Sequence, residues 1–221
     1  MTNLLFTKIQ FPEIQLSTRD ANKLRGYFGN LFKDHSELLH NHYSSGALRY
    51  RYPLVQYKIL DQVPTLIALE EGAKLLTGLF LKISEINIDG TIYAIHSKNI
   101  ENKKVEIGYS EELMEYEFKT LWMGLNQNNY LSYKATAKDD QAKLLTKILI
   151  GNILSFYKSV GLRLEPHQKI LAKCDLKEKQ TGFKGQSMMA FSGRFLANAH
   201  LPSGIGLGKG VSRGYGTITP L

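Results

Sequence analysis

An α+β fold is predicted for this chain of 221 residues, and three observations lead there. The first half orders its apolar residues as strand, helix, two strands, helix and one or two strands, which is the βαββαβ ferredoxin-like order. The second half repeats that theme loosely around one long amphipathic helix. It ends in Gly204-Ile205-Gly206-Leu207-Gly208-Lys209-Gly210-Val211-Ser212-Arg213-Gly214-Tyr215-Gly216, with six glycines and two cations in thirteen residues.

Leu4 to Phe11 alternates apolar and polar residues and predicts a strand ending at Pro12. Ser17 and Thr18 can cap a helix whose Ala21, Leu24, Phe28, Leu31 and Phe32 recur at helical spacing. Asp34 to Gly46 is polar and holds three of the six histidines. Leu48 to Leu60 and Thr65 to Leu69 are β-rich, Glu71 to Leu81 predicts a helix, and Ile86 to His96 predicts a strand that pairs with Lys103 to Gly108. In the second half Glu115 to Trp122 and Tyr130 to Ala135 are expected as strands. Asp139 is expected to cap a long helix that buries Ala142, Leu145, Ile148, Leu149, Ile153, Phe156 and Val160 and stops at Gly161. Leu171 to Leu176 and Phe183 to Phe195 complete the β-rich remainder. The domain boundary is placed near residue 110, giving domains of residues 1–110 and 111–221.

Composition narrows the functional classes. Hydrophobic residues make up 43% and charged residues 22%, as in soluble globular proteins. The longest apolar runs fall far short of the ~20 residues needed to span a bilayer. No basic leader followed by an apolar core opens the chain, so a cytoplasmic protein without a membrane partner is expected. Cys174 is the single cysteine, which excludes an internal disulfide and a cysteine-based zinc site.

The net charge of +8 is uneven. Residues 118–221 carry 15 Lys and Arg against 5 Asp and Glu, a net +10, whereas residues 1–117 are slightly acidic. A basic half is the electrostatic footprint of a nucleic-acid partner, because each phosphate contact releases condensed counterions. The glycine run fits that partner if its N–H groups, Lys209 and Arg213 face a polyanion while Ile205, Leu207, Val211, Tyr215 and Ile218 anchor it to a core.

Two segments carry a family resemblance. Leu38-Leu39-His40-Asn41-His42, followed by Tyr50-Arg51-Tyr52-Pro53-Leu54-Val55-Gln56-Tyr57-Lys58, resembles the N-terminal region of CRISPR repeat-processing endoribonucleases. Residues Gly206 to Gly216 resemble the C-terminal glycine-rich loop of the same RAMP superfamily, and Phe191-Ser192-Gly193-Arg194-Phe195 and His200-Leu201-Pro202 fit the approach to it. The resemblance implies two ferredoxin-like (RRM-related) domains in tandem. It also implies metal-independent cleavage of the repeat in precursor CRISPR RNA, leaving a 5′-hydroxyl and a 2′,3′-cyclic phosphate. The implied partners are CRISPR repeat RNA and CRISPR effector-complex subunits, with a homodimer left open. No cofactor and no metal are expected.

Cleavage without metal needs a base for the 2′-hydroxyl, charge stabilisation at phosphorus and an acid for the departing 5′-oxygen. Histidine suits both transfers because its pKa near 6.5 keeps both forms accessible. His40 and His42 are therefore the expected base and acid, in either order. Tyr27, on the first helix, could fill the tyrosine role that some relatives use. Relatives place a lysine beyond the histidine; here Arg49 and Arg51 occupy that span, share one face of an extended segment, and could stabilise the phosphorane. Lys58, Gly206, Gly208, Lys209, Ser212, Arg213 and Gly214 are expected on the RNA backbone, and Tyr215 either stacks on a base or anchors the loop. A non-catalytic RNA-binding subunit of an effector complex is the alternative. A nucleotide-binding loop is remote, because a dinucleotide fingerprint must open a helix and only Thr217–Leu221 follow this one.

Overall fold

A computed structural model describes residues 1–32, 52–183 and 185–221. They form two units: residues 3–105 with 212–214, and residues 1–2, 106–211 and 215–221.

In the first unit β1 (Thr2–Gln10) precedes α1 (Ala21–Leu31). The Asp20 carboxylate accepts the Ser17 N–H at 3.1 Å just before the helix, and Lys23 bridges Asp20 and Asp89, each at 2.8 Å. The spacing of Ala21, Leu24 and Phe28 puts them on one buried face. Phe28 is the centre of that face, with its ring stacked 6.1 Å from Phe11 and 5.9 Å from Tyr57. A hairpin joins β2 (Val55–Leu60) to β3 (Val63–Leu69), turning through Asp61 and Gln62 at φ 50° and 67°. α2 (Glu71–Leu79) follows, and Glu70 just before it receives the Leu5 N–H on its carboxylate at 2.9 Å.

The predicted strand Ile86 to His96 is instead a hairpin of β4 (Glu85–Ile88) and β5 (Thr91–Ala94). Asp89 and Gly90 make its turn at φ 51° and 87°, a geometry that the Asp-Gly pair favours. The predicted strands at Lys103 and Glu115 merge into one, β6 (Asn99–Phe118), irregular between Tyr109 and Met114. Its early residues lie beside β1, where the Thr7 hydroxyl donates to the Asn102 side chain at 2.6 Å. The resulting order β2-β3-β1-β6 is that of a ferredoxin-like sheet.

In the second unit the later part of β6 leads into α3 (Gln127–Ala135) and α4 (Lys138–Ser159). The strand expected at Tyr130 to Ala135 is thus a helix. The Asn126 side chain accepts the Asn129 N–H at 2.8 Å and starts it, and only Tyr133 is buried, so no apolar periodicity announces it. α4 buries Leu145, Leu149, Ile153, Phe156 and Tyr157. Its N-cap is Ala137, two residues before the expected cap, and Asp139 and Asp140 complement the dipole of its first turn. Ala142, expected inside, is exposed. Gly161 ends the helix at φ 80°, and the Leu162 N–H donates to the Tyr157 carbonyl at 2.9 Å.

β7 (Ala172–Phe183) and β8 (Gln186–His200) form a long hairpin in unbroken register, and β8 pairs with β6. β9 (Ile218–Pro220) pairs with the other edge of β6 at Tyr116–Phe118. The order β9-β6-β8-β7 repeats the strand order of the first unit, all antiparallel. Between β8 and β9, where a ferredoxin-like unit carries its second helix, this one carries the glycine run with a single 3-10 turn, Val211–Arg213.

Phe28→Ala should cost about 3–5 kcal/mol. Urea unfolding checks it, with the midpoint falling and the denaturant slope unchanged.

Candidate functional site

The glycine run is a built structure rather than a loose tail. Residues 204–207 double back against 216–218: the Leu207 N–H donates to the Gly216 carbonyl at 2.9 Å, Ile218 to Ile205 at 2.9 Å, and Gly204 to Ile218 at 2.8 Å. Ile205, Leu207 and Val211 are buried beneath. At the tip the Lys209 N–H donates to the Met123 carbonyl at 2.9 Å. Trp122 is the floor. Its ring is fully buried, stacks 5.4 Å from Phe118, and donates from Nε1 to the Asn152 Oδ1 at 3.1 Å.

Two glycines show what the composition is for. A Cβ on Gly208, at φ 85°, would lie 2.7 Å from the Trp122 Nε1 and 2.8 Å from the Met123 carbonyl. A Cβ on Gly216, at φ 63°, would overlap the Leu207 carbonyl oxygen. These positions lack side chains so that the backbone can lie on an indole and on itself. Gly206 and Gly214 are likewise buried. The N–H groups of Gly204 and Gly216 are bonded inside the protein, to the Ile218 and Leu121 carbonyls at 2.8 and 2.9 Å.

Tyr215 is tied to the β7–β8 hairpin. Its hydroxyl donates to the Gly182 carbonyl at 3.0 Å, lies 3.2 Å from the Thr181 hydroxyl, and its ring meets Phe183 edge-on. Lys209 is left exposed at the tip, while Ser212 and Arg213 are half-buried. Lys209 and Asn126 together line two recesses of the second unit, of about 580 Å³ and 650 Å³.

Ser212–Gly214 group with the first unit. There Arg25 of α1 is partly buried, and its pKa is lowered by that burial and then by the like charge of Arg213. Two guanidiniums held in electrostatic reach favour an anion near them. Sequence reading missed Arg25; its one signal is a cation next to the buried Leu24, on the flank of an otherwise apolar stripe.

Residues 2–106 match the family model of the Cas6b N-terminal domain, and residues 108–221 match that of the Cas6b C-terminal domain. The chain belongs to the Cas6b family. Among solved structures, a crystal structure of Cas6b is 36% identical with a TM-score of 0.95. That of the CRISPR RNA processing endoribonuclease Cas6b is 33% identical with a TM-score of 0.80; both alignments cover 100% of each chain. An uncharacterized protein of Methanocaldococcus jannaschii is 34% identical over 140 residues, which is 63% of this chain and 95% of that protein. A type IV Cas6 crRNA endonuclease shares the fold at 11% identity, with a TM-score of 0.61.

The Cas6b family bears out the resemblance carried by the two ends of the sequence. Four of the candidate site residues, His40, His42, Arg49 and Arg51, lie outside the described residues. Tyr27 is described: its hydroxyl donates to the Glu85 carbonyl at 3.0 Å, and burial followed by the Glu85 charge raises its pKa. Acting as acid or base would require breaking that bond. Among the described residues no group of three His, Cys, Asp or Glu could hold a metal ion, and no helix is long and apolar enough to cross a membrane.

Lys58 departs most from its expected role. It was expected on the RNA backbone, yet its side chain is fully buried because β2 is covered on both faces, with every residue but Leu60 inside. Burial lowers its pKa to about 7 from an ordinary 10.5. Between those values the unfolded chain binds the proton that the folded chain has released, so stability should rise with pH from about 7 to 10.5. Lys58→Met should flatten that rise, checked by urea unfolding at pH 7, 8, 9 and 10.

Proposed function

We propose that this chain is an endoribonuclease that cuts CRISPR repeat RNA within precursor transcripts without a metal ion. The observation that carries the reading is the match of both halves to the Cas6b models, over residues 2–106 and 108–221. The built, cation-bearing loop and the basic second half support the same substrate.

In this reaction the ribose 2′-oxygen forms a bond to the adjacent phosphorus as the bond from phosphorus to the 5′-oxygen breaks. One of His40 and His42 takes the 2′-hydroxyl proton, and the other, as imidazolium, gives a proton to the 5′-oxygen. The products are a 2′,3′-cyclic phosphate and a 5′-hydroxyl. Arg49 and Arg51 stabilise the charge growing on the phosphorane. Lys209, Ser212 and Arg213 hold the RNA backbone, and Arg25 adds a second guanidinium to the field of Arg213. Tyr27 braces α1 against Glu85 and is a positioning residue here. The cut guide passes to effector-complex subunits in the cytoplasm; sedimentation of the purified chain reads whether it works as a homodimer.

End-labelled repeat RNA incubated in EDTA tests the chemistry. Wild-type chain should cut once per repeat, while His40→Ala, His42→Ala and the double variant should cut at least ~100-fold more slowly and bind within about twofold. Complete loss of cleavage under chelation, restored by divalent ions, rejects the metal-free route. Binding without any product in the wild type indicates a non-catalytic RNA-binding subunit instead. Lys209→Ala and Arg213→Ala should each weaken binding and reduce the salt slope of log K by about 1, leaving the cut position unchanged.

A further inference from the structure

The two recesses that flank Lys209 share Asn126 as a common wall. The first lies by the first turn of α3 and the facing strands β7 and β8, and holds about 580 Å³. Its neutral polar wall is four carboxamides, Asn126, Gln127, Gln180 and Gln186, with Ser187 beside them and Tyr130 and Met188 as apolar surface. The charged residues along it are Lys134 and Lys209. The second recess, about 650 Å³, sets Asn129, Asn152, Lys147 and Lys209 against Leu144 and Ile148 of α4.

A carboxamide presents a donor and an acceptor side by side, matching the paired groups along a nucleobase edge. Each volume falls in the range of single-ligand sites. Tyr130, 40% exposed, offers a face on which a base can stack. Every charge lining either recess is positive, which suits a nucleotide rather than a neutral metabolite. The shared cation is held in place from below, because the Lys209 N–H is bonded to Met123 and Gly208 lies on Trp122.

We infer that the recesses take two consecutive unpaired nucleotides of the RNA. Lys209 sits on the phosphate that joins them, and the amides of the first recess read a base edge. This deepens the RNA-cleaving reading and rests on it. Base-specific recognition of RNA works on splayed, unstacked bases, which a recess of this kind accepts and a flat basic face does not.

An abasic scan of the repeat RNA, read by fluorescence anisotropy on the full chain, tests the inference. In the wild type, removing a base at one or two adjacent unpaired positions should weaken binding about tenfold, with little effect elsewhere. The Gln127→Ala, Gln180→Ala double variant should bind every RNA of the scan alike, having lost the penalty at those positions. Asn126 is kept because it caps α3, and each single variant is run beside the double so that the result does not depend on one protein folding. Lys209→Ala should weaken all RNAs by the same factor. A wild-type abasic profile in the double variant, or an equal loss on every RNA including the intact one, overturns the inference while cleavage by the wild type leaves the functional reading standing. A wild type that neither binds nor cuts repeat RNA overturns both.

Discussion

The indole of Trp122 is the constraint on which the rest of the site depends. Its backbone exchanges two 2.8 Å hydrogen bonds with Phe191 of β8, its Nε1 reaches Asn152 of α4, and its ring lies beneath Gly208. One residue therefore ties strand, helix and loop together. Met123, its neighbour, then takes the Lys209 N–H, so the exposed cation is positioned by an apolar floor rather than by an acidic partner. Glycines near it are a packing requirement: the position of Gly124 is also closed to a Cβ by the same ring.

The two units solve one topological problem in different ways. Both place a central pair of strands between outer ones, in the orders β2-β3-β1-β6 and β9-β6-β8-β7. The first covers its sheet with α1 and α2 and gathers aromatic rings around Phe28. The second has the long α4, but the place of a second helix is taken by a chain that folds on itself through Leu207 and Gly216. A helix would have buried its polar groups in its own ladder, whereas this segment carries its cation at a tight tip.

What was legible in the sequence follows from periodicity. α1 and α4 each present a helical stripe that packing confirms, and such stripes together with the alternating and β-rich runs make the ferredoxin-like order of the first half visible. α3 was not, because a helix that buries one tyrosine has no stripe to read. The turn at Asp89-Gly90 is signalled by its residue pair but sits inside an apolar run that reads as one strand. Lys58 misled for a different reason: a strand with both faces covered hides the alternation that would mark a lysine as inward. Of the candidate site, the loop and the family were legible at the two ends of the chain. The recesses were not, since Gln127, Gln180 and Asn152 are far apart in sequence and ordinary one by one.

The hydroxyl of Tyr215 has a mechanical consequence. By reaching the Gly182 carbonyl and the Thr181 side chain, it fastens the tip of the glycine segment to the end of the β7–β8 arm. Arm and glycine segment are thereby joined through a single hydroxyl. A segment fastened in this way has less conformational freedom left to lose on meeting a partner than a free tail has.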